Sequence, residues 1–146
     1  MKEEFKLDNQ LCFRLYIASR LMTQAYHPLL SENGLTYPQY LVLLVLWEAD
    51  AQPVNDIAHK LYLETNTVTP LLQRMEKEGI LIRQRGQKDA RQMIVSLTRK
   101  GWDLQKKLAD VPFKVGGAVL CDSVTPETAP TLYKMLNDII SKLKND

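Results

Sequence analysis

The chain has 146 residues, 45 % of them hydrophobic and 25 % charged, with a formal net charge of +2. That length suits one compact protomer with a real core, and the charge is too small to announce nucleic-acid binding by itself. The longest apolar run, "YLVLLVLW" at 40–47, is too short for a bilayer span, and the N-terminal "MKEEFKLDN" lacks the apolar stretch of a signal peptide, so a cytoplasmic protein with no membrane partner is expected.

The first element, "LDNQLCFRLYIASRLMTQAY" (7–26), reads as an amphipathic helix from about Asn9 to Leu30. Leu11, Leu15, Ala18, Met22 and Ala25 recur at spacings of four and three, one stripe of a helix. Cys12 lies near its start, with Tyr16 one turn on and Tyr26 fourteen positions away. Tyr16 at i+4 faces Cys12, and Tyr26 lies on the same side. Fourteen residues of helix span roughly 21 Å, so Tyr26 cannot touch its own Cys12 in a straight helix. Either the helix breaks or Tyr26 meets the Cys12 of another subunit. A lone helical cysteine is commonly a small buried hydrophobe.

"SENG" (31–34) closes this helix, and "LTYPQYLVLLVLWEAD" opens the next with Thr36 as N-cap and Pro38 in the first turn. That helix is apolar nearly all round, which places it at the centre of the core. "PVNDIAHKLYL" then reads as a short helix with Val54, Ile57, Ala58 and Leu61 on one face. After a tight turn at "ETN", "TNTVTPLLQRMEKEG" reads as a second helix, apolar at Val68, Leu71, Leu72 and Met75 and closed by Gly79. Two short helices joined by such a turn form a helix-turn-helix. The second presents Thr65, Asn66, Thr67, Thr69, Gln73 and Arg74, short polar groups and a cation suited to base edges and phosphates.

"ILIRQR" and "QMIVSLT" read as two strands with "GQKDAR" as the tip between them. Arg83, Arg85, Lys88, Arg91, Arg99 and Lys100 face the single acid Asp89 across 83–100, a local excess of five positive charges. A helix-turn-helix followed by a basic hairpin is a winged helix, its wing placed for phosphates or a minor groove. "TRKGWDLQKKLADV" (98–111) is a helix capped by Thr98. Pro112 and the glycines at 116–117 are expected to loosen the path before Cys121. Ser123 or Thr125 caps a last helix with the stripe Leu132, Met135, Leu136, Ile139, Ile140 and Leu143. Its apolar seam, like that of the first helix, suggests a homodimer in which terminal helices interlock. The expected fold is mainly α with a small β-hairpin wing: a winged helix-turn-helix at about 36–100, with dimerisation helices at about 5–32 and 113–146 of one protomer.

Cys12 and Cys121 are the only cysteines, with no CxxC and no Cys/His cluster, so neither a metal nor a cofactor is expected. In a reducing cytosol any pairing of the two would be regulatory rather than structural.

"LTYPQYLVLLVLWE", "TVTPLLQRMEKEGILIRQR" and the "DAR" before a strand resemble the MarR family of winged-helix transcription regulators. "LDNQLCFRLYIASR" together with "LTYPQYLVLLVLWE" is similar to its organic hydroperoxide resistance repressors, and the likeness runs from about Leu7 to Leu108. The resemblance implies a homodimeric repressor on double-stranded operator DNA, with organic hydroperoxide as the oxidising signal. It implies Cys12 as the redox-sensing cysteine with Tyr16, Tyr26 and Tyr37 around it, Tyr26 reaching across from the other subunit. It carries DNA recognition onto Thr65, Thr67, Thr69, Pro70, Gln73 and Arg74, beside Asn66 and wing residues Arg85, Lys88, Asp89 and Arg91. Many members have a glutamate where this chain has Ala90. Some relatives resolve the oxidised cysteine as an intersubunit disulfide with a second cysteine near Cys121; the alternative is a single-cysteine sensor capped by a small thiol.

The chemistry of Cys12 agrees with that role. A phenol O–H donating to a thiolate, and a position near a helix N-terminus, both favour the charged sulfur, and Asp8 opposes them modestly. A thiolate attacks peroxide oxygen to give sulfenic acid. Leu11, Phe13 and Leu15 would favour bulky organic peroxides. Three rivals stand beside this reading: a repressor that binds a small aromatic effector, a thiol-based global stress or virulence regulator, and a thiol peroxidase. The last lacks a partner histidine near Cys12, since His27 and His59 lie elsewhere, so a non-enzyme is expected.

Overall fold

The computed structural model describes residues 2–144. The chain forms two compact units, Met1–Asp110 and Val111–Asp146.

In the first unit, two short 3-10 turns, Glu3–Phe5 and Leu7–Asn9, lead into α1 (Leu11–Ser31). α2 (Tyr37–Glu48) starts as the sequence predicts: the Thr36 hydroxyl accepts from the Gln39 N–H, and the Gln39 side chain accepts from the Thr36 N–H. This reciprocal pair satisfies two helix-end donors at once. α3 (Val54–Lys60) and α4 (Thr65–Lys77) form the helix-turn-helix. The turn falls at 61–64, with Tyr62 at φ 55°, and Thr65 and Asn66 already belong to α4. α4 ends where Gly79 takes φ 77°, a conformation that glycine adopts without steric cost.

The wing strands are β2 (Leu81–Arg85) and β3 (Met93–Leu97), paired antiparallel with Leu81 opposite Leu97 and Arg85 opposite Met93. A third strand, β1 (Gln52–Pro53), pairs with the other edge of β3, so the order is β1-β3-β2. The sequence predicts Pro53 as the first residue of α3; it instead ends this strand and stands just before the helix. Pro53 is tolerated because β1 is an edge strand. α5 (Arg99–Lys107) follows, capped by Thr98, whose hydroxyl accepts from the Gly101 N–H.

The core of this unit gathers Leu43, Leu46, Ile57, Val68, Leu72, Met75, Ile80, Leu81 and Val95, all fully buried. Burial at about 1.5–3 kcal/mol per such side chain is what fixes α2, α3, α4 and the sheet as one body. α1 is different. Leu30 is its only buried residue, and the stripe Leu11, Ala18, Met22 and Ala25 faces outward.

The second unit holds α6 (Val111–Val119) and α7 (Ala129–Lys144). α6 corrects the expectation of a loosened path at Gly116 and Gly117, because the chain stays helical through both. Pro112 sits in the first turn, where its missing N–H costs nothing. Val111 and Val115, one turn apart, are both buried, and that outweighs about 1 kcal/mol for each glycine. α7 begins at Ala129, so neither Ser123 nor Thr125 directly precedes it; in the turn before it the Thr125 and Thr128 hydroxyls each accept from the other's backbone N–H. None of α7's residues is buried, and Met135, Ile140 and Leu143 are exposed.

Candidate nucleic-acid interface and thiol site

α4 buries Val68, Leu71, Leu72 and Met75 and turns the opposite side outward. Thr65, Asn66, Thr67, Pro70, Gln73 and Arg74 are exposed, and Thr69 is half-buried. Two of these hydroxyls are committed within the protein. Thr65 Oγ1 donates to Asn55 Oδ1 at 3.0 Å, tying α4 to α3, and Thr69 Oγ1 donates back to the Thr65 carbonyl at 2.8 Å. Asn66, Thr67, Gln73 and Arg74 therefore carry the outward chemistry of the helix.

The wing tip is built by its own side chains. Asp89 Oδ1 accepts from the Arg91 N–H at 3.0 Å and from Arg91 Nε at 3.1 Å, and Oδ2 accepts from an Arg91 Nη at 3.3 Å. These bonds hold the Asp89 carboxyl below the ordinary carboxylate range. Arg85 donates to the Ala90 carbonyl at 2.9 Å, closing the same loop from the strand side, and Lys88 stands exposed. Between wing and helix pair lies a cleft of about 530 Å³, lined by Asn55, Thr65, Thr69, Arg83, Arg91 and Gln92 among others. Nothing in the sequence alone marks Asn55 or Gln92 as site residues. Asn55 reads as one more polar residue of the first motif helix and Gln92 as the start of a strand; only the pairing of β3 and the approach of α3 to α4 bring them to this cleft.

The thiol site divides in two. Cys12 is the second residue of α1 and is exposed, so it is no core filler within the protomer. The 3-10 turns before it are held by Gln10, which donates to the Glu4 carbonyl at 2.7 Å, and by Arg14, which donates to the Asp8 carbonyl. Tyr16, one turn on, is also exposed. At the far end of α1, Tyr26 lies against Tyr37 of α2 with ring centroids 4.7 Å apart. Because α1 runs unbroken from Leu11 to Ser31, Cys12 and Tyr26 of one chain stay about 21 Å apart. The helix-break alternative is thereby removed. Tyr40, which the sequence does not mark as part of the thiol site, packs under the pair at 5.6 Å from Tyr26 and 6.4 Å from Tyr37. Burial raises the phenols of both Tyr37 and Tyr40, and the charges of Tyr26 and Tyr37 raise Tyr40 further. Cys121 lies exposed in the loop between α6 and α7, its N–H bonded to the Val124 carbonyl at 3.0 Å. His27 and His59 are exposed. Among the described residues no helix is long and apolar enough to cross a membrane.

A polar recognition helix, a positioning helix and a cationic β-hairpin wing define a winged-helix DNA-binding protein. Residues 24–108 match the family model described as transcriptional regulator SarA/Rot. The organic hydroperoxide resistance transcriptional regulator of Bacillus subtilis is 46 % identical over 115 residues, 79 % of this chain and 78 % of that protein. AbfR of Staphylococcus epidermidis has been solved in several forms. Reduced AbfR bound to DNA is 37 % identical with a TM-score of 0.77, covering 99 % of this chain and 100 % of that one. Overoxidised AbfR bound to DNA gives 39 % and 0.75, covering 97 % and 96 %. Disulfide-formed AbfR gives 38 % and 0.65, covering 99 % and 96 %. The chain belongs to the MarR-type winged-helix transcription regulators, with the organic hydroperoxide resistance and SarA/Rot proteins, and is a DNA-binding transcription regulator.

Proposed function

We propose that this protein is a redox-sensing repressor that binds double-stranded operator DNA as a homodimer and is released when an organic hydroperoxide oxidises Cys12. One observation carries the reading. An exposed cysteine with Tyr16 beside it stands at one end of α1, and a tyrosine pair stands at the other, about 21 Å away. A second copy laid antiparallel along α1 would bring its tyrosine pair over Cys12 and cover the exposed Leu11, Leu21 and Met22. The redox forms of AbfR support the same reading.

The chemistry balances without a cofactor. The Cys12 thiolate attacks the terminal oxygen of the hydroperoxide. The O–O bond breaks, the leaving alkoxide takes a proton as the alcohol, and the sulfur becomes a sulfenic acid. A thiolate at Cys121 of the partner subunit then attacks that sulfur, forming the disulfide and expelling hydroxide, which leaves as water. Leu11 and Phe13 beside Cys12 favour an organic over an inorganic peroxide. The protein senses without turnover in the cytoplasm, where thiol reductants reset it. In the reduced dimer the two α4 helices would sit about one DNA turn apart. A loss of a few kcal/mol on oxidation then suffices for a hundred- to thousandfold fall in affinity.

The test is fluorescence anisotropy on the DNA upstream of its own gene, at fixed salt because phosphate contacts make affinity steeply salt-dependent. Binding should be lost after one equivalent of cumene hydroperoxide, return with reductant, and persist in Cys12→Ser. Cys121→Ser should lose the covalent dimer seen on a non-reducing gel. A Cys12→Ser protein that still releases DNA on peroxide treatment would discard the reading and point to a small-molecule effector.

A further inference from the structure

We infer that Trp47 is a positioning residue that ties the tyrosine pair to the end of the recognition helix. This rests on the redox reading above and says how the sensing end of α1 is felt at α4. Four short contacts make the route. Tyr26 and Tyr37 rest on Tyr40, and Tyr40 meets Trp47 edge-on with ring centroids 6.2 Å apart. The Trp47 Nε1–H donates to the Gly101 carbonyl at 3.0 Å, across 54 residues of sequence. Gly101 is buried in the first turn of α5, so close to the Ile80 carbonyl and the Leu97 side chain that a Cβ there would collide with both.

That same turn of α5 holds the end of α4. Thr98 Oγ1 donates to the Gly79 carbonyl at 2.5 Å and to the Ile80 carbonyl at 2.9 Å. The Thr98 N–H also donates to Ile80, at 3.0 Å, and Lys100 Nζ donates to the Glu78 carbonyl at 2.8 Å. Glu78, Gly79 and Ile80 are the residues that close the recognition helix and lead into β2. A close-packed route of this kind passes on a small shift of the tyrosines, because Gly101 has no room for even a methyl group and Tyr40, on which the pair rests, is buried. A tryptophan that merely fills the core would change the stability of reduced and oxidised protein alike. A positioning residue changes the ratio of their DNA affinities.

The deciding experiment compares full-length wild type, Trp47→Phe and Trp102→Phe. Trp47→Phe keeps an aromatic ring and removes the N–H donor; Trp102 is the half-exposed tryptophan on the same α5 turn, outside the route. The reduced Trp47→Phe protein should bind the operator within about threefold of wild type and oxidise Cys12 at the wild-type rate. Its ratio of oxidised to reduced Kd should fall at least about tenfold, while Trp102→Phe keeps the wild-type ratio. Independently, in 15N-indole-labelled wild type, the Trp47 N–H resonance should shift on oxidation and the Trp102 resonance should not; this arm decides the matter if Trp47→Phe does not fold. A Trp47→Phe protein with the wild-type ratio, or a Trp47 resonance unmoved in oxidised wild type that has released DNA, overturns the inference alone. Wild type that keeps its DNA after oxidation overturns the redox reading and this inference together.

Discussion

Glu76 of α4 receives three hydrogen bonds from Arg83 of β2: one from the backbone N–H at 2.9 Å, one from Nε at 3.2 Å and one from Nη2 at 3.1 Å. The pair is half-buried and fixes the wing strand against the recognition helix. A surface ion pair alone is worth little, but here the carboxylate also satisfies a backbone donor. Glu76→Ala should therefore destabilise the fold by about 1–3 kcal/mol, read from urea unfolding. Glu76→Gln keeps an acceptor for the N–H and should lose less. Operator affinity should fall in the same order, since the angle between wing and helix is set by this clamp. Equal affinity for both variants and wild type would show the wing angle to be set elsewhere.

The Asp89–Arg91 pair gives a pH dependence of definite sign. The carboxyl is held below its ordinary 3.8 by Arg91, so the order it lends the wing is complete above that value. It is lost as pH falls through the depressed folded value. Slow exchange of the Arg91 amide, followed by NMR, should persist into mild acid and vanish below the ordinary carboxylate range. In Asp89→Ala, which leaves the N–H no side-chain acceptor, the amide should exchange fast already at neutral pH. Operator affinity of that variant should fall several-fold even though an acid has been removed, while non-specific DNA binding, which follows charge, should hold or rise.

Much of this arrangement is legible in the sequence wherever local chemistry decides the structure. Thr36 and Gln39 make a cap because three residues separate a hydroxyl from an amide, and Gly79 ends α4 because the backbone there needs a positive φ. The distance between Cys12 and Tyr26 follows from helix rise alone. What escapes is whatever depends on neighbours distant in sequence. Gln52 and Pro53 are a strand only because Val95 and Ile94 pair with them. Gly116 and Gly117 are helical because Val111 and Val115 are buried, against their own propensity. Tyr40 is one more apolar position on an all-apolar helix until α1 places Tyr26 against it.

The tyrosine cluster predicts alkaline lability. Tyr37 and Tyr40 have phenols raised above the ordinary 10.0 by burial. Below that value both groups are neutral, folded or unfolded. As pH rises through 10.0 the unfolded chain ionises first, so stability falls until the raised folded values are passed. The urea midpoint should hold from neutral pH to about that point and then drop. Tyr37→Phe should blunt the drop, and an unchanged drop would assign it to other groups.

Gln73 and Arg74 are adjacent and exposed on α4, yet they should fail in different ways. An amide can make a bidentate contact to one base, whereas a guanidinium on the flank of the groove meets phosphate. Gln73→Ala should cost about 1–3 kcal/mol on the operator, leave non-specific DNA affinity unchanged and relax selectivity at one base pair. Arg74→Ala should weaken operator and non-specific DNA alike, and reduce the slope of log affinity against log salt by about one. Anisotropy titrations at several salt concentrations on both DNAs separate the two patterns. The reverse outcome, selectivity lost with Arg74 and a salt slope lost with Gln73, would mean that α4 enters the groove rotated, with Arg74 on the base edges.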